Sequence, residues 1–118
     1  MHPYDEAVEW IKSQKQLEEA RDWLETAGKD YGVIHELSHE QSLDVVEEAY
    51  MRGAKIVEVV GELSDSLIDC SVDMLLLTLP KETEARARLF ELEAKVADMT
   101  GFEISVDEGQ NYILLRWT

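Results

Sequence analysis

Apolar residues recur at helical spacing through the first quarter of the chain, and this pattern predicts a helix over residues 3–28. The members of the stripe, which repeat every seven positions, are Trp10, Leu17, Leu24 and Tyr31. Ile11 and Trp23 lie off this stripe, so the apolar face is either wide or divided between two helices. A division would fall near Ser13 and Gln14.

A strand, a helix and a second strand are predicted next. Residues 33–37 are predicted to form a short strand. Ser38 with Gln41 three positions later is the capping-box pattern, so a helix is predicted to begin there. Gly53 is predicted to end that helix. Residues 55–60 are rich in β-branched side chains, which favour a strand.

The second half of the chain alternates in the same way. Residues 62–69 are polar and predict a loop, whereas residues 72–79 are apolar on both faces and predict a strand covered on both sides. A long helix is predicted over about residues 81–99, with Gly101 as its stop. The alternating segments 102–106 and 112–117 then predict a C-terminal hairpin.

The predicted element order is α–β–α–β–β–α–β–β, which defines an α+β fold. Its middle part is the βαββαβ arrangement of a ferredoxin-like domain, an antiparallel sheet with helices on one face. An extra N-terminal helix and an extra C-terminal strand flank it. A length of 118 residues suits a single domain, with a helical region at 1–30 and a ferredoxin-like core at 31–118.

Charge narrows the choice of partners. The chain has 26 acidic and 11 basic residues, a formal net charge of −15, and an apolar fraction of 45% that suits a globular domain. A strongly acidic protein repels nucleic-acid phosphates and anionic membranes. We therefore expect neither a nucleic acid nor a membrane as a direct partner.

A single cysteine, Cys70, excludes an intramolecular disulfide and a cysteine-based metal site. Asp69 and Asp73 make its surroundings anionic, so a buried thiol is expected rather than a reactive one. The first residues lack the basic and apolar regions of a signal peptide, and the longest apolar run, 74–77, is far shorter than the roughly 20 residues that span a bilayer. These features predict a cytoplasmic protein.

The segment 35–39, His-Glu-Leu-Ser-His, matches the HExxH pattern. When all five residues are helical, the two imidazoles share one face and bind zinc, while the glutamate acts as general base on the zinc-bound water. A small zinc-dependent hydrolase that uses His35, Glu36 and His39 is therefore an alternative function.

The capping signal at Ser38 argues against this alternative because it places the start of the helix inside the motif. On a strand, His35 and His39 would lie roughly 13 Å apart, too far to share a metal ion. A third ligand would have to be a carboxylate; the candidates are Glu47, Glu48 and Glu58. The preferred interpretation is a strand-to-helix junction with surface histidines, and no cofactor is expected.

Carboxylates are concentrated in residues 62–80, which contain four acids and no base. These acids form a predicted acidic rim, which is either a solvated loop or a docking edge; they are Glu62, Asp65, Asp69 and Asp73. The pairs Glu18-Glu19 and Glu47-Glu48 are predicted on the outer faces of helices. Trp117 is predicted in the core or at the sheet edge.

The order of elements over about 85 residues is similar to a known family. Residues 33–38 have the pattern of its strand and cap, and residues 56–59 that of its next strand. The intervening helix has a comparable spacing of Leu43, Glu48, Ala49 and Gly53. In these features the chain resembles the B-type inhibitor family of bacterial regulators of ribonuclease E activity.

The resemblance implies a small, acidic, cytoplasmic protein in which a helix precedes a ferredoxin-like domain. It also implies binding rather than catalysis, directed at the basic regulatory region of the endonuclease. A charge of −15 suits a lysine- and arginine-rich partner segment. We therefore expect a non-catalytic, protein-binding regulatory domain; a homodimer paired at sheet edges is a third alternative.

Overall fold

The computed structural model describes residues 3–14, 17–27, 33–34, 37–60, 71–72, 74–101 and 106–117. The helices within these ranges are α1 (Pro3–Gln14), α2 (Ala20–Ala27), α3 (His39–Met51) and α4 (Thr83–Thr100). The strands are β1 (Glu18–Glu19), β2 (Val33–Ile34), β3 (Ile56–Val60), β4 (Ser71–Val72), β5 (Met74–Thr78) and β6 (Tyr112–Arg116).

Four of these strands form an antiparallel sheet in the order β1-β3-β5-β6. At its centre, Leu77 lies opposite Val57 on one side and Ile113 on the other. The strand β2 pairs in parallel with β4, which precedes β5 in the chain. The fold is α+β, as predicted, and its order of helices and strands is compatible with a ferredoxin-like arrangement with extra termini.

Side chains that alternate along the strands divide the core into two layers. The larger layer lies between one sheet face and the helices α2, α3 and α4; its fully buried members include Leu24, Val46, Val57, Leu75, Leu77, Leu89 and Ile113. The smaller layer lies between the opposite face and α1, and contains Val8, Val60, Leu76 and Tyr112. Strand β5 is therefore covered on both sides, as its apolar sequence predicts.

The prediction of one apolar stripe over residues 3–28 is wrong. Two helices, α1 and α2, occupy this region with β1 between them, so the chain does divide near Ser13 and Gln14. Trp10 is 64% exposed, while α1 buries Asp5 and Val8 instead. The seven-residue apolar repeat does not continue from α1 into α2, because these two helices pack on opposite faces of the sheet.

Polar contacts supplement Val8 in holding α1 against the sheet. The buried Asp5 carboxylate accepts hydrogen bonds from the backbone N–H of Asn111, at 2.9 Å, and from its side-chain amide. The Tyr112 hydroxyl donates to Glu9, and this bond together with burial raises the pKa of Tyr112 to about 12. A buried carboxylate needs such donors, since burial without them is costly.

Several other predicted boundaries are confirmed at the ends of helices. Gly53 follows the end of α3 with φ of 113°, and Gly101 ends α4 in the left-handed conformation with φ of 80°. The predicted strand 112–117 corresponds to β6. The predicted loop 62–69, Cys70 and most of the predicted strand 102–106 lie outside the described residues.

The capping box at the start of α3 is confirmed. The Ser38 hydroxyl accepts a hydrogen bond from the Gln41 backbone N–H at 3.1 Å, and the Gln41 side chain accepts one from the Ser38 N–H at 3.0 Å. Ser38 itself is extended, with φ of −75° and ψ of 168°. The helix thus begins at His39, immediately after Ser38.

We expect Ser38→Ala to lower the free energy of unfolding by about 1 kcal/mol, because a helix-end amide loses its acceptor. Ser38→Asp is the matched control, since aspartate offers an acceptor at the same position and should stay close to the wild-type stability. Urea unfolding of the three proteins measures both effects. Equal destabilisation by alanine and aspartate would show that the hydroxyl does not act as a cap.

Candidate functional site

The HExxH segment does not form one continuous helix. Leu37 and Ser38 precede α3, and His39 is its first residue, whereas His35 and Glu36 lie outside the described residues. The His39 Nε2 atom lies 3.1 Å from the backbone carbonyl oxygen of Leu24, within hydrogen-bond distance. In the part of the chain that the structure describes, His39 therefore joins the end of α2 to the start of α3.

The three carboxylates considered as further metal ligands face cations instead. Glu47 pairs with Arg21, Glu48 pairs with Arg52, and Glu58 lies 3.6 Å from Lys12 beneath α1. Among the described residues, no group of three or more histidine, cysteine, aspartate or glutamate side chains is arranged to hold a metal ion.

Trp117 lies in the larger core layer and is 7% exposed. Of its two predicted positions, core or sheet edge, this is the core. Its indole N–H is buried and has no hydrogen-bond partner within the described part of the chain. The side chain therefore contributes apolar packing between the sheet and its helices.

The strongest charge asymmetry in the described helices lies on α2 and α3. These two helices together carry one arginine and six carboxylates: Asp22, Glu25, Glu40, Asp44, Glu47 and Glu48. By contrast, α4 carries four carboxylates and three cations. We call the solvent-facing side of α2 and α3 the acidic face; it is made of Asp22, Glu25, Glu40, Asp44 and Glu47, all exposed, with Arg21 among them.

Helical spacing places three of these carboxylates in a row. Glu40, Asp44 and Glu47 follow one another at intervals of four and three residues on α3, so they project from one side of the helix. Glu40 lies in the first turn, where the helix dipole favours a negative charge. A partner that lies along α3 would meet all three.

Arg21 joins α2 to α3 on the acidic face. Its guanidinium donates two hydrogen bonds to Glu47, at 2.6 and 2.8 Å, and lies 4.0 Å from the centre of the Tyr50 ring. The bond from Arg21 lowers the pKa of Glu47. Because this cation is already engaged by a carboxylate and a ring, it does little to attract an anionic partner.

A half-buried hydrogen-bond network fixes the position of α2 and α3 on the sheet. The Tyr50 hydroxyl donates to Glu19 at 2.6 Å and accepts from the Val57 backbone N–H at 3.1 Å. Burial and the Glu19 contact raise the pKa of Tyr50 to about 12. Burial opposes ionisation of Glu19, but bonds from Tyr50 and from backbone amides outweigh it, and the pKa of Glu19 is lowered.

The prediction of outer helix positions is wrong for Glu18 and Glu19, since both lie in β1, opposite Val59 and Glu58. It is correct for Glu47, which is exposed on α3, whereas Glu48 on the same helix is half-buried and pairs with Arg52. The predicted docking edge, the acids of residues 62–73, lies outside the described residues. Sequence reasoning missed the acidic face, although the spacing of Glu40, Asp44 and Glu47 could have indicated it.

Comparisons with known proteins found no relatives: no protein-family model matches the chain, and neither the curated proteins nor the solved structures include a match. The resemblance to the ribonuclease E regulators therefore stays a prediction. Within the described ranges, none of the helices combines the length and the apolar character that a membrane crossing requires.

Proposed function

We propose that the protein is a small, non-catalytic regulatory domain of the cytoplasm that binds a basic segment of a protein partner. The observation that supports this proposal is the acidic face, where two neighbouring helices present five exposed carboxylates and one arginine. Surfaces of one charge raise the rate of encounter with oppositely charged partners and disfavour wrong ones.

The rigidity of the acidic face favours binding. Core packing of Leu24 and Val46 and the Tyr50–Glu19 bond hold α2 and α3 on the sheet before any partner arrives. A preformed surface loses less conformational entropy on association than one that must be ordered. The overall charge of −15 disfavours nucleic acid and anionic membranes as alternative direct partners.

The family resemblance makes the basic regulatory region of an RNA-degrading endonuclease the first partner to test. The extended backbone at Ser38 disfavours the zinc hydrolase, because the HExxH mechanism requires a helix through the whole motif. The acidic face also disfavours a homodimer formed through that face, since two copies would bring like charges together.

We expect Glu40→Lys/Asp44→Lys to weaken binding of a fluorescent lysine- and arginine-rich peptide by about tenfold or more, because attraction on the acidic face becomes repulsion. Fluorescence anisotropy at several salt concentrations measures the dissociation constant. The wild-type affinity should fall as salt rises, since ions screen exposed charges.

The matched control is Glu6→Lys/Glu84→Lys, which makes the same change in net charge on α1 and at the start of α4. Both control residues are exposed, and each lies in the first turn of its helix, as Glu40 does. This control should weaken binding only slightly. Equal losses in the two double variants would mean that net charge alone attracts the peptide, and salt-insensitive binding would contradict the proposal.

A further inference from the structure

An open groove lies between α3 and α4, next to the acidic face. Its volume is about 640 Å³, and residues of the end of α3 and the first half of α4 line it, among them Asp44, Met51 and Glu91. Two of its lining residues, Asp44 and Glu47, also belong to the acidic face. A segment bound along α3 would therefore reach the groove without a change of direction.

Long side chains connect the two helices across this groove. Arg52 donates to the backbone carbonyl oxygen of Arg88 at 2.7 Å and lies 3.4 Å from the Glu91 carboxylate. Lys95 lies 3.3 Å from the Glu48 carboxylate. Glu91 and Lys95 are exposed, so their ion pairs contribute little stability and an incoming chain displaces them at little cost.

Met51 is the apolar residue of the groove lining, and it is 84% exposed. Methionine is unbranched and polarisable, so it adapts to apolar side chains of different shapes and is common on peptide-binding surfaces. The charged residues around it are four carboxylates and two arginines. This combination is complementary to an apolar side chain carried between basic ones.

We infer that the α3–α4 groove binds an apolar side chain of the basic partner segment against Met51, while a neighbouring lysine or arginine side chain faces Asp44. This inference rests on the proposed function and adds the sequence that the partner carries: a basic segment interrupted by an apolar residue. The acidic face then supplies attraction, and the groove selects among basic segments.

Two peptides test the inference: a lysine- and arginine-rich peptide with one central leucine, and the same peptide with serine in its place. Wild-type protein should bind the leucine peptide about fivefold to tenfold more tightly, because a partly buried leucine leaves water. In Met51→Ser this preference should disappear. Met99→Ser is the matched control, because Met99 is 69% exposed near the end of α4 and outside the groove lining, and it should keep the preference.

The outcomes separate the two proposals. If both peptides bind wild-type protein equally, or if Met51→Ser keeps the full preference for leucine, the groove inference is wrong while the acidic face still binds basic chains. If Met99→Ser removes the preference as Met51→Ser does, the site is not the groove. If neither peptide binds, the proposed function fails, and the inference fails with it.

Discussion

Replacement of Arg86 by methionine should lower the free energy of unfolding by about 3 kcal/mol, because two part-buried carbonyl oxygens and the Asp107 carboxylate lose a charged donor together. The Arg86 side chain is 12% exposed. Its guanidinium donates to Asp107 at 2.7 Å, to the Gln110 carbonyl at 2.8 Å and to the Pro80 carbonyl at 3.2 Å. It thus links the start of α4 to the turn that leads into β6.

Arg88→Met provides the control for this prediction, since it makes the same chemical change one half-turn further along α4. Arg88 is exposed, and its replacement should change the stability by less than about 0.5 kcal/mol. Chemical denaturation measures both variants. Similar losses would mean that helix propensity or net charge, rather than the Arg86 contacts, sets the stability.

The effect of Arg86→Met should also depend on pH. The bonds from Arg86 lower the pKa of Asp107, so the pair stabilises the folded state at pH values above about 4, the usual range of an aspartate. This contribution disappears as the pH falls through the lowered pKa of Asp107. The difference in stability between wild type and Arg86→Met should therefore shrink in acid; a constant difference would contradict the role given to the ion pair.

Gly53→Ala should lower the free energy of unfolding by about 2–4 kcal/mol, because it combines backbone strain with a steric clash. The residue has φ of 113°, which side chains rarely adopt, and an added Cβ would lie 2.9 Å from the Cβ of Ala85. Ala85 cannot turn away, since its Cβ is fixed by the α4 backbone. Thermal unfolding followed by circular dichroism measures the loss.

Gly101→Ala is the control that separates the two causes. Gly101 also has a positive φ, of 80°, but nothing lies within 4 Å of an added Cβ. Its replacement should cost only about 1 kcal/mol. Equal losses at Gly53 and Gly101 would show that the close approach of the end of α3 to the start of α4 is not tightly packed.

The features that the sequence predicts correctly depend on neighbouring residues. Ser38 and Gln41 cap α3 through bonds that span three positions, and Gly53 and Gly101 stop helices through their own backbone freedom. The apolar run of β5 indicates burial on both faces without reference to the partner helices.

The features that the sequence does not predict depend on distant residues. Asp5 is buried because Asn111, 106 positions away, donates to it, and this partner is invisible in the local pattern. Glu18 and Glu19 form a strand only through pairing with β3, since glutamate has little intrinsic preference for strands.

The acidic face also depends on residues that are distant in the sequence. Its row on α3 can be derived from spacing alone, but α2 joins it through the Arg21–Glu47 pair, whose partners are 26 positions apart. The docking edge is predicted at residues 62–73 because acidic residues are dense along that part of the sequence. The acidic face instead combines carboxylates from two separate helices.

The most direct test of the acidic face as the docking surface is a map of amide chemical shifts in isotope-labelled protein during titration with the lysine- and arginine-rich peptide. The largest changes should fall on α2 and α3, around Asp22, Glu40 and Asp44, while α1 and residues 106–111 stay unchanged. Changes centred on α1, on residues 61–70, or spread evenly over the protein would contradict the account.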